Sequence, residues 1–206
     1  NTLALLGGEP TLYPQLLELL ALARKGGFIT ISLITNGYKL ANPFFCQQVI
    51  SAGVNRVGLS FHSHLEEVEN RICGQSKAYQ RKIQALENLV SIRENAVPSL
   101  TLSLDTVVNR HNAPYLAEHI RFFMNNKVRD FHLSFVRIEG RAVNNPDLMV
   151  PYHELTSQIE IILDIAETHS LTLSLSGFPL CIFPAKYTEN PSRIFPREEC
   201  RGMLPG

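Results

Sequence analysis

The stretch Leu3-Ala4-Leu5-Leu6-Gly7-Gly8-Glu9-Pro10-Thr11-Leu12 decides the fold. Its apolar run reads as a buried strand over Thr2–Leu6, which stops at two glycines, a carboxylate and a proline before an apolar helix pattern begins. Gly7 and Gly8 free the backbone to take positive φ and let a ligand approach the main chain closely. Glu9 then projects from a strand end, where α/β folds place their ligand sites. Taken alone, the segment is equally a plain strand–turn–helix whose acidic residue favours the dipole of the next helix.

Outward from this stretch the chain alternates strand and helix. Pro14 opens a helix that Gly26-Gly27 close after Arg24 and Lys25, and a strand follows at Phe28–Ile34. A helix at Pro43–Ala52 stops at Gly53, and the strand Arg56–Phe61 leads into a charged loop or short helix over Leu65–Ile72. Ile83, Leu86, Leu89 and Val90 fall at helical spacing within Tyr79–Glu94. Then come a strand at Leu100–Val107, a helix at Ala113–Asn126, a strand at Asp130–Val136, a helix at Tyr152–His169 and a short strand at Leu171–Leu175, before a proline-rich tail.

Such alternation with short links argues for a parallel sheet with right-handed crossovers. The strand faces say which kind. Leu100, Leu102 and Leu104 oppose Thr101, Ser103 and Asp105; Phe131, Leu133 and Phe135 oppose His132 and Ser134; Val57, Leu59 and Phe61 oppose Gly58, Ser60 and His62. A doubly wound sheet is apolar on both faces. One small, polar face on strand after strand predicts instead an incomplete barrel, with helices on one side only and a polar interior roomy enough for a ligand. The polar clusters fall at strand C-terminal ends, the catalytic rim of β/α barrels, so Glu9, Asn36, Ser60, His62, Asp105, Asn109 and Arg137 are expected around one mouth.

Gly7-Gly8-Glu9-Pro10, followed in order by Leu33–Gly37, Val57–Ser63, Val107–Asn112 and Val136–Arg141, resembles strands two to six of the radical S-adenosylmethionine (SAM) enzymes, from Asn1 to about Leu171. The resemblance implies an α/β fold, a partial (β/α)6 TIM-like barrel missing its first β/α unit, over residues 1–171, with residues 172–206 as the start of a truncated C-terminal extension. The family's CxxxCxxC loop is absent, so the chain reads as a fragment, inactive alone. Also implied are SAM and a [4Fe–4S] cluster whose ligands lie outside this chain. Reductive cleavage of SAM at that cluster yields a 5′-deoxyadenosyl radical that takes hydrogen from an unknown substrate, a peptide being one candidate. An electron donor such as flavodoxin or ferredoxin would serve it.

Carried over residue by residue, Gly7, Gly8, Glu9 and Pro10 would meet the SAM amino group, with Glu9 accepting from it. Ser60 and Asp105 would bond the SAM carboxylate or ribose hydroxyls, the alternative being small polar residues wetted by lumen water. Asn36 and Asn109 complete the expected SAM set, although Asn36-Gly37 also makes a turn whatever binds nearby, and Asn109 and Asn112 also suit a helix cap. Arg137 and Arg141 are candidates for an anionic substrate or the SAM carboxylate. His62 and His64 read as a polar rim, lacking partners at metal-ligand spacing. Cys73 departs from the Arg or Thr common at its place in Asn70-Arg71-Ile72-Cys73-Gly74. Cys181 and Cys200 are candidate first ligands of an auxiliary iron–sulfur cluster, at a spacing that matches no named pattern.

Composition bounds the rest. The 206 residues suit one domain or one domain with a tail, with 45% apolar residues for a core and a formal net charge of zero. No basic block calls for nucleic acid or an anionic membrane. No apolar run approaches the ~20 residues that span a bilayer, and the expected location is the cytoplasm. The four scattered cysteines argue against a disulfide framework. Two other functions remain open on sequence: a β/α-barrel domain binding a small ligand without radical chemistry, and an aldolase-like barrel. The second needs a strand-end lysine for a Schiff base, and no expected strand carries one.

Overall fold

A computed structural model describes residues 1–188. Six strands form one open sheet in the order β1 (Thr2–Leu5), β2 (Thr30–Thr35), β3 (Arg56–Ser60), β4 (Thr101–Val108), β5 (Asp130–Phe135) and β6 (Thr172–Ser176). The pairs β1–β2, β2–β3 and β5–β6 are parallel, with Leu3 beside Ile31, Leu33 beside Val57, and Leu133 beside Leu175. Because sequential neighbours pair in parallel, each connection must carry the chain back along the sheet, and helices do so. Strand β6 pairs with β5 along its whole length, so the sheet runs on past Leu171 to Ser176.

The chain forms two compact units. The first takes Asn1–Phe61 and Leu65–Leu104; the second takes His62–His64 and the chain from Asp105 onward. In the first unit, α1 (Leu16–Lys25) buries Leu16, Leu20 and Ala23 along one face, and Gly27 at φ +82 ends it in a left-handed turn. Pro14 lies before this helix, and residues Pro10–Leu12 form a separate 3-10 turn, so the helix begins later than the sequence expectation. Asn42 caps α2 (Pro43–Ser51), its Oδ1 accepting from the Phe45 N–H at 3.1 Å, with Pro43 at the first helical position. The charged segment becomes a true helix, α3 (Glu66–Cys73), with Glu66, Glu67 and Glu69 in its first turn and Gly74 at φ 66 ending it. Helix α4 (Ala78–Asn95) returns against α2 and α3. Leu20, Ile31, Leu33, Cys46, Val49, Val57 and Leu89 are packed together in its core.

In the second unit a 3-10 turn, Ala113–Tyr115, precedes α5 (Leu116–Asn125), which packs on α6 (Tyr152–His169). Two further 3-10 turns, Gly140–Asn144 and Pro146–Leu148, follow β5. After β6 come a 3-10 turn at Leu180–Ile182 and a one-turn helix, α7 (Ala185–Thr188).

The two faces of β4 and β5 differ as the alternation requires, whereas in β3 Gly58 of the expected polar face is buried along with Val57 and Leu59. Leu102, Leu104, Thr106 and Val108 of β4 are buried while Thr101, Ser103 and Asp105 are half-buried; Phe131, Leu133 and Phe135 of β5 are buried while Asp130, His132 and Ser134 are half-buried. One face of the strands is therefore closed by packing and the other is polar and accessible. None of the six strands contains a lysine. Among the described residues no helix is long and apolar enough to cross a membrane.

Candidate functional site

The first unit gathers a hydrogen-bond network at the C-terminal ends of β1 and β2. Gly7 takes φ +122, a region that side chains avoid, and a Cβ built on either Gly7 or Gly8 would meet nothing within 4 Å. The backbone there is open on the outside. Glu9 follows with its carboxylate turned to the protein. Its Oε1 accepts from the Thr11 N–H at 3.0 Å, the Thr11 hydroxyl at 2.6 Å and the Thr35 hydroxyl at 2.6 Å. Its Oε2 accepts from the Asn36 N–H at 2.7 Å. The Thr35 hydroxyl oxygen in turn accepts from the Gly37 N–H at 3.0 Å. Thr11 and Thr35 are almost wholly buried, so these bonds work away from competing water.

Glu9 therefore serves first as an anchor that ties the loop after β1 to the end of β2. It caps the short turn Pro10–Leu12, whereas Gln15, at the N-cap position of α1, makes no side-chain capping bond. Its Oε1 is saturated, whereas Oε2 takes a single donor and keeps acceptor capacity for another. Pro10 sits at the first position of that turn, where its missing N–H leaves no orphan. Asn36 makes the turn that its Asn-Gly sequence predicts: its Oδ1 accepts from the Tyr38 N–H at 3.0 Å, and Gly37 takes φ +79. A side chain at Gly37 would run into Leu59 and sit 3.3 Å from the Ala85 Cβ. Ser60 ends β3, half-buried.

The second unit holds the remaining candidates. Asp105 lies on the accessible face of β4, its Oδ1 3.8 Å from Nδ1 of His132, whose Nε2 is 3.1 Å from Asp130 Oδ1. The Asp105 Oδ2 is buried with no hydrogen-bond partner. Burial raises the Asp105 pKa above the usual carboxylate range; His132 opposes the rise and Asp130 adds to it. The loop after β4 is self-contained. Asn112 Nδ2 donates to the carbonyls of His62 at 2.8 Å and Val107 at 2.9 Å, and its Oδ1 accepts from the Asn109 N–H at 2.8 Å. Asn109 is buried; its Oδ1 accepts from the His111 N–H and its Nδ2 donates to the Val107 carbonyl. Neither asparagine caps the helix that follows with its side chain. His62 Nδ1 accepts from the Val107 N–H at 3.2 Å, which fixes that ring as a structural bridge. Arg137 is exposed, and the side chain of Arg141 lies outside the described residues.

Three groups escaped the sequence reading. Thr11 and Thr35 were readable only as turn and strand residues, although Thr35 directly precedes Asn36-Gly37. His132 was visible on the polar strand face, but its pairing with Asp105 depends on strand register. His119 is fully enclosed, its Nε2 3.0 Å from the Thr106 hydroxyl oxygen and its ring against Phe123. Burial, then His64 and His62, push its pKa down to about 3.

A family model described as the radical SAM superfamily matches residues 1–123. The chain belongs to that superfamily, whose members use SAM and a [4Fe–4S] cluster. Among curated relatives, a probable GTP 3′,8-cyclase of Saccharolobus solfataricus is 29% identical over 185 residues, covering 90% of this chain and 56% of that protein. The PqqA peptide cyclase of Ruegeria pomeroyi is 28% identical over 165 residues, covering 80% and 42%. The chain thus spans about half the length of the curated relatives it matches. Streptococcus suis SuiB bound to S-adenosylmethionine matches the fold with a TM-score of 0.63 at 16% identity, over 93% of this chain and 41% of that one. The enzyme anSMEcpe with bound AdoMet matches with 0.61 at 18% identity, over 84% and 48%. The six-stranded α/β sheet is that of the radical SAM partial TIM-like barrel.

The two cofactors fit these residues differently. In the first unit the open glycine backbone and a carboxylate oxygen with spare acceptor capacity suit an amino donor, and in the second the unpartnered Asp105 Oδ2 suits a hydroxyl donor, both of which SAM carries. A cluster finds no such fit: among the described residues no three His, Cys, Asp or Glu side chains lie together as metal ligands. Cys46 is buried in α2, Cys73 ends α3 and Cys181 is exposed; Cys200 lies outside the described residues.

Proposed function

We propose that this chain supplies the SAM-binding part of a radical SAM enzyme, with the cluster ligands lying outside its 206 residues. SAM, cleaved reductively at a [4Fe–4S] cluster, supplies hydrogen-abstracting chemistry in such an enzyme. The observation that carries the reading is the Glu9 carboxylate, whose Oε1 takes three donors from within while Oε2 takes one and is left for another, next in sequence to the open backbone of Gly7 and Gly8.

In this proposal Gly7 and Gly8 admit the methionyl end of SAM against the main chain, and Glu9 Oε2 accepts from its ammonium. Thr11, Thr35 and Asn36 hold that carboxylate in place, so it meets the ligand preorganised rather than ordering on binding. Asn36 contributes the backbone N–H that sets the position of Oε2. Asp105 takes ribose hydroxyls through Oδ2, an oxygen that burial has stripped of water and left without a protein donor. Ser60 adds a hydroxyl, and Asn109, whose Oδ1 and Nδ2 each make one hydrogen bond within the loop after β4, adds its remaining acceptor and donor capacity.

The substrate stays at the level of the superfamily. The PqqA peptide cyclase and the peptide-bound forms of SuiB and anSMEcpe support a peptide, and the GTP 3′,8-cyclases support a nucleotide. A one-electron donor of the flavodoxin or ferredoxin kind completes the proposed partners. The test is anaerobic incubation of the full reading frame, its cluster verified by iron and sulfide assay, with SAM and dithionite. Release of 5′-deoxyadenosine is expected; an intact cluster that neither binds SAM nor releases 5′-deoxyadenosine would overturn the reading.

A further inference from the structure

Helices α3 and α4 enclose an ion pair that the proposed site does not use. Lys82 Nζ lies 2.5 Å from Glu69 Oε1, and both side chains are shut off from solvent. Cys73 completes a triangle with them. Its Sγ is 3.2 Å from Lys82 Nζ and 3.2 Å from the same Glu69 oxygen. The rings of Phe61 and Tyr38 lie 5.6 and 5.9 Å from the ammonium and wall the group on its other sides. Lys82 and Glu69 are buried, whereas Cys73 is only partly enclosed, so the cysteine is the solvent-facing corner of the triangle.

From this geometry we propose that Cys73 and Lys82 form a covalent sulfur–nitrogen cross-link when the protein meets hydrogen peroxide. Three features carry it. An amine nitrogen already touches the sulfur, so the second step is intramolecular. A carboxylate touches both atoms and accepts the proton that each must lose. The rings of Phe61 and Tyr38 beside the Lys82 ammonium keep its nitrogen next to the sulfur.

The chemistry balances in two steps. The Cys73 thiol passes its proton to Glu69, the sulfur attacks one peroxide oxygen, and the O–O bond breaks, giving a sulfenic acid and one water. The Lys82 nitrogen, relieved of a proton through Glu69, then attacks that sulfur and expels the hydroxyl as a second water. Overall, Cys–SH, Lys–NH3+ and H2O2 become Cys–S–NH–Lys, two waters and a proton; sulfur loses two electrons and peroxide gains them. At rest the thiol is protonated: burial raises its pKa, the Lys82 charge opposes this, and Glu69 adds to the rise. The reaction therefore waits on an oxidant and does not run in its absence. Two equivalents of an added thiol restore the free cysteine and amine.

The test uses the whole chain. Treated with hydrogen peroxide and digested with trypsin, the protein should lose cleavage after Lys82 and yield residues 72–77 joined to residues 82–93, lighter than the sum of the two peptides by about 2 Da for the two hydrogens removed. Dithiothreitol should restore both peptides. Lys82→Arg keeps the charge beside Glu69 but removes the nucleophile, so its Cys73 sulfenic acid should persist and react with dimedone, which the wild-type protein should resist. Sulfinic or sulfonic acid at Cys73 with Lys82 still cleavable, a disulfide at Cys73, or a link that retains oxygen would each overturn the proposal.

Discussion

The Thr35 hydroxyl donates to Glu9 Oε1 at 2.6 Å while its oxygen accepts from the Gly37 N–H, so one buried side chain joins the loop after β1 to the turn after β2. The proposed ligand contacts, the Gly7-Gly8 backbone and Glu9 Oε2, belong to the first of these segments. Their position is set by the second.

Thr35→Val should unlock that join. The variant keeps the shape of the side chain but removes a donor to a carboxylate and leaves the Gly37 N–H buried without a partner. The two losses amount to roughly 2–4 kcal/mol, and the midpoint of thermal unfolding should fall by roughly 5–10 °C. Thr35→Ser, which keeps the hydroxyl, should recover most of it. Differential scanning calorimetry of the three proteins decides, and equal midpoints would show that the join carries no load.

Glu9→Gln should lower stability and ligand affinity together. An amide has one acceptor oxygen, and the Thr11 and Asn36 N–H groups lie on opposite carboxylate oxygens, so one faces an NH2 group. That mismatch costs about 1–3 kcal/mol in the free protein. In the full enzyme the loss of charge toward an ammonium should raise the SAM dissociation constant by roughly ten- to a hundredfold, since hydrogen bonds to charged groups contribute ~1.5–3 kcal/mol. Unfolding midpoints and SAM titration separate the two effects. A variant with unchanged midpoint and unchanged affinity would reduce Gly7–Pro10 to a turn of no consequence.

Much of this was legible in the sequence, for reasons that particular residues show. Leu102 and Leu104 alternating with Ser103 and Asp105 exposed the one-sided sheet, because period two maps directly onto the faces of a strand. Gly7 and Gly37 announced positive φ, and both adopt it. What stayed hidden depends on contacts distant in sequence. Nothing near Thr35 signals that its hydroxyl meets a carboxylate 26 residues earlier. The helix expected from Pro14 begins at Leu16, because the Glu9-capped turn takes up the intervening chain. Lys82 lies in a helix whose flanking charges look solvated, yet it is buried because Glu69 waits inside.

Asp105→Asn should raise stability while weakening ligand binding. The folded protein holds the Asp105 carboxyl above its usual pKa chiefly through burial, so folding carries a penalty for its charged form. The neutral amide removes that penalty and still offers an oxygen to a ribose hydroxyl. Thermal midpoints at pH 7 should rise for the variant. The gain should shrink as pH falls toward the range where the folded carboxyl is itself protonated. A lower midpoint at pH 7 would mean that the His132 contact outweighs desolvation.

His119 should make the protein sensitive to mild acid. Its folded pKa is pushed down to about 3, whereas the unfolded residue titrates near ~6.5. The unfolded chain therefore binds a proton that the folded chain refuses throughout the interval between them. The contribution to stability is complete above the unfolded value and is lost as pH drops below it, at about 1.4 kcal/mol per pH unit. His64, lowered by burial against the opposing pull of Glu118, acts in the same direction. Against a typical total of ~5–15 kcal/mol, one such group is a large fraction within two pH units. The urea midpoint should fall steadily from pH 7 to pH 5. In His119→Gln, which keeps a hydrogen-bonding group near the Thr106 hydroxyl but cannot titrate, the slope should be shallower. Parallel slopes for the two proteins would show that acid acts elsewhere.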